Sequence, residues 1–241
     1  MQASEGLKKV AAMGSAANAI RFMRKTGIRA FAKELRRRAY SAYWERRLNV
    51  ATADLDSSQM QEHRTDAKEY FPIGYEHVFW ALSRIPFPEQ EIVFVDFGAG
   101  RGRAVAAAAS RRFKRVIGVE FDQKLVEAAR KNIAGMKARK AGEVLIHAGD
   151  AMEFMLPDDA NVIYFFNPFE GETLACVTAK LKAFQAEKQR ELFVIFFNHK
   201  HFEHLVRNEK WITTLEVREF YPSTSCALYR VRGTGTSTFG V

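Results

Sequence analysis

The stretch from Ile92 to Glu120 constrains this chain more than any other. The apolar run Ile92–Val95 ends in Asp96, glycines follow at 98, 100 and 102, and Ala104–Ala109 continues with helix-forming residues. A second apolar run, Val116–Val119, then ends in Glu120. Strand, glycine-rich turn, helix and strand is the geometry that brings backbone close to a nucleoside-bearing ligand, with the second acid placed for two ribose hydroxyls. The glycine spacing separates ligand classes. A dinucleotide fingerprint needs G-x-G-x-x-G/A, but the third position falls on Arg103 counted from Gly98 and on Val105 counted from Gly100. No Gly-Lys-Ser/Thr follows a glycine turn either, which excludes a Walker A loop. What stands here is D-x-G-x-G-x-G.

The residues around this turn alternate between short apolar runs and helical periodicity. The pattern predicts strands over 92–96, 115–120, 143–147, 161–166 and 191–197, with helices over 76–84, 101–112, 122–139, 171–187 and 200–207. Two further strands, near 211–220 and 225–232, are joined by Tyr221-Pro222-Ser223, a hairpin signal. Strands alternating with helices imply a parallel sheet covered on both faces. The expectation is an α/β, Rossmann-like, doubly wound, mostly parallel seven-stranded sheet with a terminal antiparallel hairpin. A chain of 241 residues holds one such domain and an appendage.

The appendage is visible in the charge. The chain carries a net +9, and residues 1–48 alone hold twelve Lys/Arg against three Glu, also +9. The remainder balances at 25 basic and 25 acidic residues, from 37 − 12 and 28 − 3. Residues 1–48 therefore read as a basic amphipathic arm, helical over about 16–47, with Ile20, Met23, Ile28, Phe31, Leu35 and Ala39 along one face. Four uses of it compete: docking on its own domain, lying on an anionic membrane surface, contacting nucleic acid or an acidic protein, and targeting. Residues 49–90 read as a linker or lid with a leading helix, 91–232 as the core, and 233–241 as a flexible tail. No apolar run approaches the roughly 20 residues of a bilayer-spanning helix. The two cysteines, Cys176 and Cys226, lack metal-ligand spacing. A reduced, cytoplasmic protein is expected, with peripheral membrane attachment through the arm as one option.

In a doubly wound sheet the ligand sits beyond the carboxyl ends of the strands, and polar residues recur there. Asp96 closes the first strand, Glu120 the second, Asp150 follows the third, and Asn167 closes the fourth. Together with Gly98, Gly100 and Gly102, this succession resembles the motifs of class I S-adenosylmethionine-dependent methyltransferases. The resemblance implies S-adenosylmethionine as cofactor. By it, Asp96 and the glycine turn face the methionine half, Glu120 takes the ribose hydroxyls, and Asp150 with the Ala151 backbone N–H takes the adenine. Asn167-Pro168-Phe169 resembles the Asn/Asp-Pro-Pro-aromatic loop of amino-directed methyltransferases, in which the Asn oxygen and a proline carbonyl accept from a target amine while the aromatic packs on it. Here the second proline is missing and the aromatic stands one place early. The order of Tyr70…Pro72, the glycine turn, Gly118-Val119-Glu120-Phe121 and Phe166-Asn167-Pro168-Phe169 is similar to a largely uncharacterised bacterial methyltransferase group. That similarity covers roughly residues 44–232.

Other candidates carry less. Asn198-His199 ends the fifth strand, so His199 is a candidate base beside Asn167, or a hydrogen-bonded structural histidine. Tyr70, a candidate cofactor contact, and Tyr75 either close a lid or pack. His199, His201 and His204 lack a completing carboxylate, and no metal is expected. The acceptor is open among a protein amine, an RNA base and a lipid-linked or small molecule. A non-catalytic S-adenosylmethionine sensor is the alternative. Aminopropyl transfer is a further enzyme class, for which no Asp-rich loop is present.

Overall fold

The computed structural model describes residues 23–24, 27–53, 72–220 and 224–232. Its strands are β1 (Val93–Phe97), β2 (Arg115–Glu120), β3 (Glu143–Ala148), β4 (Val162–Phe166), β5 (Leu192–Phe197), β6 (Ile212–Phe220) and β7 (Thr224–Val231). The helices are α1 (Ile28–Leu48), α2 (Tyr75–Leu82), α3 (Arg103–Ala109), α4 (Gln123–Gly135), α5 (Gly171–Lys188) and α6 (Lys200–Val206). The strands make one seven-stranded sheet in the order β3-β2-β1-β4-β5-β7-β6. Strands β1 to β5 run parallel, and β7 runs antiparallel to both β5 and β6. The expected doubly wound sheet with an antiparallel terminal pair is therefore the fold. Residues 221–223, the hairpin signal, lie outside the described residues, as does most of the arm before Gly27.

Alternation along the strands divides the core in two. Phe94, Val116, Tyr164, Ile195 and Phe197 face α2 and α3. Val95, Val119, Phe165, Val194 and Phe196 face α5 and α6. Helix α3 is buried over its whole length and is mostly alanine, which lets it lie close to the sheet. Gly118 of β2 completes that fit, since a Cβ there would stand 2.8 Å from both Ala99 Cβ and Val105 Cγ2.

Helix α4 stops at Gly135, short of the expected 139. Ala138 takes a left-handed φ of 59°, and the amides of Lys140 and Ala141 donate back to Ala109 O at 2.8 and 3.1 Å. Tertiary hydrogen bonds thus override local helix propensity. At its other end the domain takes in the close of the basic segment. Leu48 is fully buried, and the rings of Trp44 and Phe79 lie 4.4 Å apart. Asn49 Nδ2 donates to Gly135 O at 2.8 Å, and Lys137 N–H to Leu48 O at 2.8 Å. Residues 44–52 pack as part of the sheet domain although they straddle the boundary that the charge distribution suggests.

Candidate functional site

Strand order reverses direction between β1 and β4, and two turns meet there. Gly98, Gly100 and Gly102 all have positive φ, at 75°, 56° and 83°, a region that costs an L side chain about 1 kcal/mol or more. Sterics single out Gly98, because a Cβ built on it would overlap Pro168 Cβ of the turn after β4. The glycine turn is thereby held against Asn167-Pro168-Phe169 at the crevice where open α/β sheets bind ligands.

The turn is also pinned to β2. Gly98 and Ala99 N–H both donate to Val119 O, at 2.9 and 3.0 Å. Glu120 Oε2 accepts from Gly100 N–H at 2.8 Å, while Oε1 accepts from Phe121 and Asp122 N–H at 3.0 Å each. Burial pushes the Glu120 carboxyl up and these three donors act against it, leaving it above the ordinary glutamate value. Asp96 lies beside it, 2% exposed, and accepts no hydrogen bond from the described residues. Burial and then the charge of Glu120 raise its pKa well above the usual carboxylate range. Its register partner on β4, Tyr164, is fully buried with a hydroxyl that finds no partner among the described residues. Sequence reading missed Tyr164, because a tyrosine in an apolar strand gives no signal apart from its strand partner.

Around the rim, Gly149 N–H donates to Glu120 O at 2.9 Å, which sets the turn after β3 beside the end of β2. Asp150 is half-buried, and its Oδ1 accepts from Met152 N–H at 2.8 Å. Ala151 is half-buried against the second core half. Phe121, 44% exposed, projects an aromatic surface next to Glu120. Tyr70 lies outside the described residues. Tyr75 is fully buried and packs, with its hydroxyl donating to Glu45 Oε1 at 3.1 Å.

On the β4 side, Asn167 takes a left-handed φ of 46° and is half-buried at the strand end. Phe169 does not face the crevice. It is 8% exposed and packs edge-on against Phe165 at 6.1 Å, so this aromatic shapes the core. His199 is 5% exposed, with Nδ1 3.2 Å from Ser225 Oγ and Nε2 3.5 Å from Glu203 Oε2. Burial lowers its pKa, with Glu203 acting against the shift. Nδ1 is within hydrogen-bond distance of Ser225 Oγ, while Nε2 faces Glu203 across a distance longer than an ordinary hydrogen bond. Among the described residues no three His, Cys, Asp or Glu side chains cluster as metal ligands would.

The charge balance of the crevice decides what fits it. Two buried carboxyls, Asp96 and Glu120, lie toward the carboxyl ends of β1 and β2, whereas the arginines of the turn are bonded elsewhere. Arg101 Nε donates to Ala51 O at 3.2 Å. Arg103 is buried against Thr52, Ile73 O and Glu45. A pyrophosphate would find carboxyl oxygens here in place of donors, while a ligand with a diol finds acceptors.

A family model described as "Conserved hypothetical protein 95" matches residues 76–230. No curated protein sequence matches the chain. Among solved structures, the fold is similar to a Pyrococcus horikoshii protein named as a candidate RNA methyltransferase, at 14% identity and a TM-score of 0.52, covering 84% of this chain and 98% of that one. It is similar also to an S-adenosylmethionine-dependent methyltransferase from Aquifex aeolicus, at 13% identity and a TM-score of 0.50, covering 65% of this chain and 89% of that one.

Proposed function

Because the chain belongs to the Conserved hypothetical protein 95 family and is a class I S-adenosylmethionine-dependent methyltransferase, we propose that its cofactor lies across the carboxyl ends of β1, β2 and β3. Glu120 takes the ribose hydroxyls, Asp96 and the glycine turn face the methionine half, and Asp150 with Ala151 N–H takes the adenine. Phe121 supplies an apolar surface for the base. The observation that carries this reading is the buried Asp96 carboxyl beside Glu120, without a hydrogen-bond donor among the described residues, in a crevice whose arginines are tied down. S-adenosylmethionine supplies an electrophilic methyl group on a positively charged sulfonium. The protein's task is then to align the acceptor with that group and to exclude water. Asn167 is the positioning residue: its amide oxygen, at the end of β4, accepts a hydrogen bond from the acceptor and directs its lone pair. His199 is the candidate base where the acceptor needs deprotonation, its pKa lowered by burial.

The acceptor is proposed to be presented at an anionic membrane surface. The outward face of α1 has an exposed apolar stripe, Ile28, Ala32, Leu35, Ala39 and Tyr43, with Ile28 72%, Leu35 48% and Tyr43 53% exposed. A basic stripe, Arg29, Arg36 and Arg47, runs beside it. Both acids of the helix face inward, with Glu34 fully buried and the Glu45 side chain 14% exposed. No described helix is long and apolar enough to cross a membrane. Apolar and basic stripes side by side suit a helix lying in the headgroup plane. A nucleic acid would use the cations but leave the apolar stripe in water.

Sedimentation of the full chain with vesicles, together with labelled methyl transfer, tests this. Binding to vesicles containing phosphatidylglycerol but not to pure phosphatidylcholine is expected, with loss in both Arg29→Glu/Arg36→Glu and Ile28→Ser/Leu35→Ser. Label from S-adenosylmethionine should appear in the lipid-associated fraction of a lysate, and Asn167→Ala should abolish transfer while cofactor affinity stays. No vesicle binding, with label entering RNA instead, overturns the membrane reading.

A further inference from the structure

We propose that the cofactor turn is held in its binding shape by the N-terminal helix through Arg103, so that residues 45–52 are a working part of the cofactor site. This rests on the cofactor reading above. The turn needs clamps, because three positive-φ glycines within five residues leave its backbone free to adopt many shapes. Its first half is clamped from within the sheet, by Val119 O and Glu120. Its second half is clamped from outside.

Arg103, the residue after Gly102, is 5% exposed. Its Nε–H donates to Thr52 Oγ1 at 2.7 Å, one Nη to Ile73 O at 2.6 Å, and the other lies 3.4 Å from Glu45 Oε1. The guanidinium carbon stands 5.0 Å from the Tyr75 ring centroid. Thr52 N–H in turn donates to Glu45 Oε2 at 2.7 Å, which closes the network onto α1. Asn132 adds a second fastening: its amide accepts from Ala51 N–H at 2.9 Å and donates to Arg101 O at 2.9 Å.

Every partner of Arg103 named here precedes residue 76, where the match to the family model begins. The matched segment thus contains the turn and its arginine but not the groups that hold that arginine. Simple packing of the helix would need apolar contact only. A guanidinium with three polar partners and a ring beneath it fixes direction as well as distance, and it does so at the first residue after the turn.

The test uses the full chain and titrates S-adenosylhomocysteine by calorimetry. Thr52→Val removes the hydroxyl bonded to Arg103 at almost unchanged volume, and Thr52→Ser restores it. Loss of this charge-assisted bond should weaken binding roughly tenfold in Thr52→Val, with Thr52→Ser within about twofold of wild type. Arg103→Lys, which lacks the fork, should weaken binding at least as much. Hydrogen–deuterium exchange on the wild type gives a readout that needs no variant: amides of 49–53 and 98–103 should gain protection together on adding S-adenosylhomocysteine. Unchanged affinity in both Thr52→Val and Arg103→Lys, or protection confined to 98–103, overturns the tether. If the wild type binds neither S-adenosylmethionine nor S-adenosylhomocysteine, the cofactor reading fails and the tether with it. A wild type that binds while the variants bind equally well sinks the tether alone.

Discussion

Replacing Glu120 by glutamine isolates the group on which most of the cofactor site turns. The carboxylate accepts three backbone N–H bonds, at 2.8, 3.0 and 3.0 Å. An amide of the same shape has one oxygen and one NH2, so in either orientation at least one backbone donor faces another donor. Losing a hydrogen bond to a charged group costs about 1.5–3 kcal/mol. The loss is partly offset, because burial already raises the Glu120 pKa and a neutral amide relieves that strain. The ligand-free protein should therefore lose about 1 kcal/mol. Cofactor binding should suffer more. With Oε1 kept toward Phe121 and Asp122, the NH2 turns toward Gly100 and the ribose, and the acceptor for at least one hydroxyl is gone. At about 1.4 kcal/mol per factor of ten, binding should weaken ~10- to 100-fold. Calorimetric titration with S-adenosylhomocysteine, beside thermal melts of both proteins, reads the two effects separately. A Kd within about twofold of wild type, in a variant that melts normally, would refute the ribose assignment.

Three further expectations follow from the same geometry. Gly98→Ala should destabilise the fold by about 1–3 kcal/mol, since it adds a Cβ at φ 75° against Pro168, and methyl transfer should fall with it; an unchanged melt would contradict the contact. For Asp96 the folded pKa lies above the unfolded one, so the native state holds its proton longer and stability is lost as pH rises through the folded value. Asp96→Asn should accordingly match wild type near pH 3.8 and become the more stable protein toward neutral pH, with weaker binding of S-adenosylmethionine; parallel stability curves would refute it. His77 runs the other way: burial, then Arg37 and Arg218, lowers its pKa from 6.5 to about 4, so the unfolded chain takes the proton first. Wild type should lose about 3 kcal/mol relative to His77→Gln as pH falls from 6.5 to about 4, measured by urea unfolding; equal losses in both would exclude the histidine.

The fold was legible because its signals are local. Apolar runs, the hairpin residues and the glycine turn each announce themselves within a few positions, and β1 through β7 fall within about two residues of the expected strands. The strand-end positions of the polar residues were legible for the same reason, although Asp96 and Glu120 are buried there and do not emerge at the rim. What stayed hidden depends on partners distant in sequence. Arg103 is 51 positions from Thr52 and 58 from Glu45, and in sequence it reads as one more surface cation. Phe169 looks like a platform for a target until its contact with Phe165 places it in the core. The neighbours of His199 were hidden too, since Ser225, 3.2 Å from its Nδ1, is 26 positions away. The fate of Asp96 could not be read either, because its raised pKa follows from burial and from Glu120 on a neighbouring strand.

On the proposed reading, this crevice takes a diol-bearing, positively charged nucleoside in place of a dinucleotide. Titration of the full chain with S-adenosylmethionine, S-adenosylhomocysteine and NAD, at one ionic strength and neutral pH, tests it most directly. Micromolar-range binding of the first two and none of NAD is expected, since Asp96 and Glu120 offer carboxyl oxygens where a pyrophosphate needs donors and both arginines of the turn are engaged. Binding of NAD alone, or of none of the three, would contradict the account.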